Sequence, residues 1–344
     1  MLGDMTAMVE ATAETELELL EGLRTLGRIT ALCAELSLDV DAEAPWFFAM
    51  NGESRCVGGP NPDGAYHLAM IDGRHRYVVS GERNSATYLG FQVLAGTGLT
   101  PRRMAAFVSD HQLELDAEGR FSFVLAASEP SAAELGPRPW VSIPEDASSI
   151  VVRQYVADPL EEQLATLDVR PLERPGPLAP LTDDVLSEQF TAMGWTIWKL
   201  ATLHQTIKPE LLDMPNRLIT AAATDLGAAE TTPDNLYMIG TFRLEPSEAL
   251  VLEFEPPVTR YWSVTAENIW HECIDVRRRR SSLTNATAEV SPDGVARVVL
   301  AAVDPGFGNW IDTGGRHRGF VTLRWLDNPI APTVTTTVAP LTRP

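Results

Sequence analysis

The sequence predicts a mainly β fold with helical additions: two tandem, internally duplicated antiparallel β-sandwich domains of the jelly-roll or immunoglobulin-like kind. Two observations carry this. Four sequence blocks recur in the same order at a nearly constant offset. Within each copy the apolar residues alternate with a period of two between turn dipeptides, the mark of short strands joined by tight turns. The length of 344 residues suits two domains.

A repeat constrains every later assignment. The stretch GPNPDGAYHLAMIDG, from Gly59, aligns with TTPDNLYMIGTFRLE, from Thr231, so that Asp63 meets Asp234 and Tyr66 meets Tyr237 at an offset of 171. Tyr88 then meets Tyr261 at 173, and Gly119 meets Gly294 at 175. Trp140 meets Trp310 and Pro159 meets Pro329, both at 170. The drift falls in turns, where insertions are tolerated. The two copies span residues 45–160 and 229–330.

Residues 1–44 form a helical lead-in, with Leu19, Leu23, Leu26, Thr30 and Cys33 at helical spacing over 14–36. In the first copy, strand-like runs at 75–81, 121–127 and 149–156 are interrupted by TPRRMAAFVSDHQL from Thr100. Its Thr-Pro start predicts an inserted helix. Residues 161–228 form a linker with helices, entered through the Pro-rich segment PLERPGPLAPL at 171–181. A helix is predicted over 182–205, with Thr182 as its cap and an apolar stripe of Leu186, Phe190, Met193, Ile197, Leu200 and His204. After Pro209 and Pro215, a further helical stretch runs through Ala223. In the second copy, 248–255, 296–303 and 319–326 read as strands, and 331–344 reads as a flexible tail.

At these blocks the chain resembles the bacterial tandem family of domains of unknown function 1254 (N-terminal) and 1214 (C-terminal). The N-terminal resemblance rests on Asn61-Pro62-Asp63 with Tyr66, and on VVRQYVADP from Val151. The C-terminal one rests on Tyr261-Trp262-Ser263, Asp293-Gly294, Asn309-Trp310 and FVTLRW from Phe320. Pro139-Trp140 stands where the second copy has Asn309-Trp310, a departure from the common form. The resemblance implies sandwich domains and brings no activity with it.

The formal charge of −20 sets up a field that repels nucleic acid and anionic membranes, so neither is an expected partner. No run of apolar residues reaches the ~18 of a membrane helix, and the acidic N-terminus lacks the pattern of a secretory signal. Three cysteines without close spacing argue against a disulfide framework or a Cys-based zinc site, and fit a reducing, cytoplasmic setting. There is no G-x-S-x-G elbow, no P-loop and no dinucleotide fingerprint. His271-Glu272-Cys273 begins like a zinc-binding helix, but Asp275 stands where the second His belongs, so no metal site is assigned and the cofactor question stays open.

Three constellations are candidates for chemistry. On YWSVTAENIWHE, from Tyr261, strand alternation puts Trp262, Asn268 and Trp270 on one face, a possible cavity wall that stacks a flat ligand and orients it through an amide. The alternative is a core face with one satisfied Asn. Asn61, Asp63 and Tyr66 combine turn chemistry with a loop carboxylate able to move protons. The loop GNWIDTGGRHRG offers Asn309 and Trp310 as ligand contacts, and Asp312 with His317 as a base and its orienter. His271 is a further acid–base candidate, and His204 becomes one if its helix packs on a pocket.

These residues leave three readings open. The first is a hydrolase or lyase without organic cofactor, acting on a small neutral or lipophilic molecule in an aromatic-lined pocket. The second is a non-catalytic binding module for a carbohydrate or lipophile. The third is an assembly protein whose sandwiches associate as a homo-oligomer.

Overall fold

Tandem sandwiches are what the computed structural model of the chain contains. It describes residues 2–38, 40–52, 55–96, 102–174, 180–203, 210–221, 231–327 and 330–341. In the first sandwich, β1 (Phe48–Ala49), β2 (Gly64–Met70), β8 (Ala147–Tyr155), β4 (Tyr88–Ala95) and β5 (Arg103–Ser109) form one sheet, in that order. The facing sheet has the order β7 (Trp140–Ser142), β6 (Arg120–Ala126), β3 (Tyr77–Glu82), β9 (Thr166–Pro171). The second sandwich repeats this plan. Its five-stranded sheet runs β10 (Arg217–Ala221), β11 (Asn235–Arg243), β17 (Arg318–Leu326), β13 (Trp262–Glu267), β14 (Ser282–Thr284). Its four-stranded sheet runs β16 (Trp310–Asp312), β15 (Ala296–Ala301), β12 (Glu248–Phe254), β18 (Thr335–Pro340).

The correspondence extends to small devices. Gly119 and Gly294 both turn with φ near +80°, at 79° and 84°. Trp140 and Trp310 each donate an indole N–H to the carbonyl of an equivalent alanine, Ala126 and Ala301, at 3.1 and 3.0 Å. The short pairs β6/β7 and β15/β16 are parallel, the two exceptions to an antiparallel plan.

Three segments differ from the sequence reading. Arg103–Ser109 is a strand, not the inserted helix expected from Thr100: pairing with β4 satisfies its backbone, and only a 3-10 turn, Asp110–Gln112, follows. The start of that expected helix, 97–101, lies outside the described residues. Arg217–Ala221 is likewise a strand, on the edge of β11, rather than helix. Thr335–Pro340, read as a flexible tail, pairs with β12 as β18, and β9 does the same for β3 in the first copy. In both places a Thr- or Leu/Val-containing alternation finds an open sheet edge.

Each sandwich has its own core. Phe91, Phe121, Phe123 and Tyr77 fill the first, and Phe254, Trp262, Trp325 and Leu252 the second. Helices α1 (Leu2–Thr12), α2 (Glu16–Leu38) and α4 (Asp183–Ala201) cover the outer face of the second five-stranded sheet. Short helices α3 (Ala132–Leu135) and α5 (Glu210–Asp213) complete the described set. Thr182 caps α4 as expected, accepting from Val185 N–H at 3.3 Å. The buried stripe of α2 is rotated from the predicted one: Leu23 is exposed, while Glu18, Glu21 and Thr25 are buried. The reason is ionic. Glu18 meets Arg318 at 2.6 Å, and Glu21 accepts from Arg316 at 3.0 Å.

Truncating Leu252 to Ala removes packing from a fully buried site and should cost about 2–5 kcal/mol, read as a lower denaturant midpoint with unchanged slope. The α2 anchor should also be acid-labile. The hydrogen bond from Arg243 holds Glu14 down at about 2, so its stabilisation is present above about 4.5 and is lost as pH falls towards 2. Hydrogen exchange at the start of α2 should therefore accelerate over that range, ahead of the sandwich cores.

Candidate functional site

The strand β13 decides which side chains reach the seam between the sandwiches. Alternate residues of a strand face opposite ways. Trp262, Val264 and Ala266 point into the second sandwich's core, where Trp262 packs edge-on against Phe254 at 5.3 Å. Tyr261, Ser263, Thr265 and Glu267 therefore point outward. On the neighbouring β17, Phe320, Thr322 and Arg324 share that outer face, paired with Glu267, Thr265 and Ser263.

The predicted wall of Trp262, Asn268 and Trp270 does not exist. β13 ends at Glu267, and the chain turns, so the three residues part company. Trp262 fills the core, and Trp270 packs among the helices with its indole N–H on the Glu18 carbonyl at 2.9 Å. Asn268 shapes the turn: its Oδ1 accepts from Trp270 N–H and Glu272 N–H, both at 3.0 Å. That turn forces His271 to a φ of +56°, strained for a residue with a Cβ.

The strained turn folds His271 back onto its own strand. Its Nδ1 lies 2.8 Å from Glu267 Oε2, and its ring stacks on Phe320 at 3.7 Å. Thr322 Oγ1 donates to the other carboxylate oxygen at 3.0 Å, and Arg324 stands 3.9 Å from it. Burial pushes the Glu267 carboxyl up, but the His271 contact and the Arg324 charge outweigh it and hold the group below its ordinary value. His271 Nε2 is fully buried and meets no hydrogen-bond partner. A buried imidazole oriented on one nitrogen and unpartnered on the other keeps that second nitrogen free to exchange a proton once it is reached.

A strap from the first sandwich closes this cluster. Val57 bridges to Glu272, Gly59 N–H donates to the His271 carbonyl at 2.9 Å, and Arg324 donates to the Gly59 carbonyl at 2.9 Å. Gly59 has φ +65°, so the turn itself favours glycine, and the strap lies in ordinary contact distance of Glu267 Oε2. The strap continues into Asn61, whose amide donates to the Tyr261 hydroxyl and whose N–H donates to the Tyr66 hydroxyl at 2.8 Å. Asp63 follows, accepting from Ser282 Oγ at 2.5 Å. It forms part of the wall of a cavity of about 390 Å³, with Pro62, Val156, Pro159, Glu162 and Leu164. Burial pushes Asp63 up to about 6 against the pull of Ser282 and Arg324. The Arg324 charge reaches Asp63 and Tyr261 as well as Glu267, while His271 and Glu267 themselves do not line the cavity.

The remaining sequence candidates lie elsewhere. Asp312 is held by Arg279 at 2.7 Å and Gly314 N–H at 2.6 Å, while His317 sits 3.2 Å from Glu14 and 3.7 Å from Glu18. They are not a base and its orienter; each serves a different ion pair. Asn309 ties loop backbone together through Glu289 N–H at 2.7 Å and the Arg297 carbonyl at 3.0 Å, and Trp310 packs with Ala249, Val299 and Ala301. His204 lies outside the described residues. The reading from sequence missed Glu267, Arg324, Tyr261 and Ser282. A partial signal was present: Tyr261 and Glu267 share the polar parity of Ser263 and Thr265 along β13, and Arg324 shares that of Thr322 along β17.

Comparison of the two copies sharpens the point. The residues of the first sandwich equivalent to Glu267 and Thr322 are Leu94 and Val151, which form an apolar cluster with Leu68. The same fold thus closes with hydrocarbon at these positions. Arg153 and Arg324 are equivalent and occur in both copies. The acid–base cluster is therefore an addition to the scaffold rather than a requirement of it.

Residues 241–329 match the family model described as protein of unknown function DUF1214. The match covers the greater part of the second sandwich. A solved structure of an uncharacterised protein from Burkholderia cenocepacia is similar over 99% of this chain and 94% of its own, at 26% identity and a TM-score of 0.92. The VPA0106 protein from Vibrio parahaemolyticus shares the fold at a TM-score of 0.54 and 13% identity, over 94% of this chain and 100% of its own. No curated protein matches the chain. No described helix is long and apolar enough to cross a membrane. Among the described residues, no group of three or more His, Cys, Asp and Glu side chains is placed to hold a metal ion.

The raised Asp63 gives a signed prediction. Its folded value of about 6 lies above the ordinary 3.8, so its contribution is fully present below about 3.8 and is lost as pH rises through 6. Asp63→Asn should remove that loss, leaving the variant more stable than the parent at pH 7 and no more stable at pH 3.5. Melting temperatures at the two pH values check this.

Proposed function

We propose that the second sandwich and the strap form the active site of a hydrolase or lyase that works without an organic cofactor on a small neutral or lipophilic molecule. The observation that carries the reading is His271: oriented by Glu267, strained, and left with a buried, unpartnered Nε2. Strain and an unsatisfied buried atom each cost stability, and such costs concentrate at functional sites.

In this reading Nε2 takes a proton from the substrate or from a water beside it. Glu267 fixes the imidazole and stabilises the imidazolium that results. Arg324 and the hydroxyls of Tyr66 and Tyr261 stabilise the negative charge that develops. Asp63, with its value near 6, returns a proton to the leaving group at the cavity wall. Substrate reaches Nε2 when the strap at 57–63 lifts from His271, breaking the Gly59–His271 hydrogen bond. Asn268 acts through His271 and is a positioning residue.

The apolar part of the cavity lining, Pro62, Val156, Pro159 and Leu164, favours a second reading, a binding module that holds a lipophile unchanged.

Thermal-shift screening against sugars, sterols, aromatics and fatty acids, with native mass spectrometry of each hit, separates the two. A ligand at 100 times its Kd should add about 2.7 kcal/mol of stability. A chemically altered hit supports the enzyme; a hit recovered intact supports the module. For an altered hit, His271→Gln and Glu267→Gln should each lower turnover by about 10²-fold or more, and Asp63→Asn should move the pH profile. Undiminished turnover in His271→Gln would overturn the assignment of the base.

A further inference from the structure

Two thiols flank the acid–base cluster without belonging to it. Cys56 opens the strap, and Cys273 follows His271-Glu272. The chain brings them together across a short antiparallel ladder: Val57 bridges to Glu272, and Cys273 N–H donates to the Cys56 carbonyl at 3.1 Å. Residues opposed at such a position stand about 5.5 Å apart at Cα, within the roughly 4.4–6.8 Å that a disulfide spans. Both thiols are buried and reduced. Each thiol donates to a backbone carbonyl, Cys56 to Gly52 at 3.3 Å and Cys273 to Pro60 at 3.4 Å.

We propose that Cys56 and Cys273 form an oxidation site, at which a hydroperoxide drives a disulfide that pins the 57–63 strap over the His271 turn. The Cys56 thiolate attacks one peroxide oxygen, the O–O bond breaks, and the other oxygen leaves as alcohol after taking a proton. Cys56 is then a sulfenic acid. The Cys273 sulfur, giving up its proton, attacks the sulfenyl sulfur; the S–O bond breaks and water departs. Two thiols have lost two electrons in total, and one hydroperoxide has become an alcohol and a water.

The surroundings fit this order of events. The neighbouring Cys273 thiol lowers Cys56 against burial and the Glu272 charge, with the Arg28 charge assisting, and Cys56 in turn raises Cys273. Cys56 is thus the attacking sulfur and Cys273 the resolving one. The third cysteine is an internal control. Cys33 is buried in the apolar cluster under the helices, and that burial pushes it up to about 12.

The test uses the full chain, hydrogen peroxide as oxidant, and alkylation with peptide mapping after unfolding. The expected result is a Cys56–Cys273 linked peptide that dithiothreitol reverses, with Cys33 still alkylated. Oxidation at the pair should outpace Cys33 on the order of tenfold or more. Hydrogen exchange at the Gly59 amide should slow on oxidation. Cys273→Ser should leave Cys56 as a sulfenic acid that dimedone captures, while Cys56→Ser should leave Cys273 unmodified. Oxidation of Cys33 alongside the pair, links between molecules in place of the internal one, or three intact thiols at peroxide levels that oxidise the unfolded chain would each overturn the proposal. None of these readouts needs a substrate, so the outcome is independent of the enzymatic reading.

Discussion

The tyrosine seam between the two sandwiches is the interaction on which the rest of the molecule depends. Tyr155 lies between Tyr88 and Tyr261, stacked on each at 5.1 and 5.2 Å, so one ring from the second sandwich continues a stack begun in the first. Each copy then lends its loop to the other copy's tyrosine. Asn61 reaches Tyr261, and Asp234, its counterpart loop's carboxylate, accepts from Tyr88 at 3.2 Å. Asn235 donates to Tyr155 at 2.9 Å. The exchange is the approximate twofold relation expected when a duplicated unit packs against itself. It also places the strap, and with it Gly59, over Glu267 and His271. Without the seam there is no closed site.

Duplication lets one copy keep the scaffold while the other departs from it. The first sandwich fills the positions of Glu267 and Thr322 with Leu94 and Val151, and gains hydrocarbon burial. The second places a carboxylate and an imidazole there, both buried, beside the arginine that the two copies share. Burying charge is costly even when paired, and neutral packing would serve stability as well or better. The helices lie over this face, and Glu272 ties them down through Arg24 at 3.2 Å and through Arg28. The proposed chemical role would account for this arrangement, which packing alone does not require.

Much of the fold was legible because turns and strand parity repeat. Asp63/Asp234, Tyr88/Tyr261 and Trp140/Trp310 all fall at equivalent places, and the α2 and α4 helices were marked by spacing and, for α4, by Thr182. What the period of two leaves open is which of two faces meets the core. Trp262 was assigned to a ligand because tryptophans stack ligands, yet the largest apolar side chains gain most from the core, and the polar parity of the same strand faces the seam. Partners distant in sequence were also invisible: His317 finds Glu14 rather than the nearby Asp312. Edge strands such as β18 carry too little hydrophobicity to stand out until an open edge is there to receive them.

The central claim is that the Glu267–His271 cluster serves chemistry and is not needed to hold the fold. The variant combining Glu267→Leu and Thr322→Val, after the first copy, with His271→Gly, which tolerates the left-handed turn, tests it most directly. Its denaturant midpoint should equal or exceed that of the parent, since replacing both members of a buried polar pair, here Glu267 and His271, is often neutral or stabilising by about 1–4 kcal/mol, and Arg324 keeps Thr265 Oγ1 and the Gly59 carbonyl as acceptors. A loss of about 3 kcal/mol or more would contradict the account, and would make the cluster a structural element of the second sandwich.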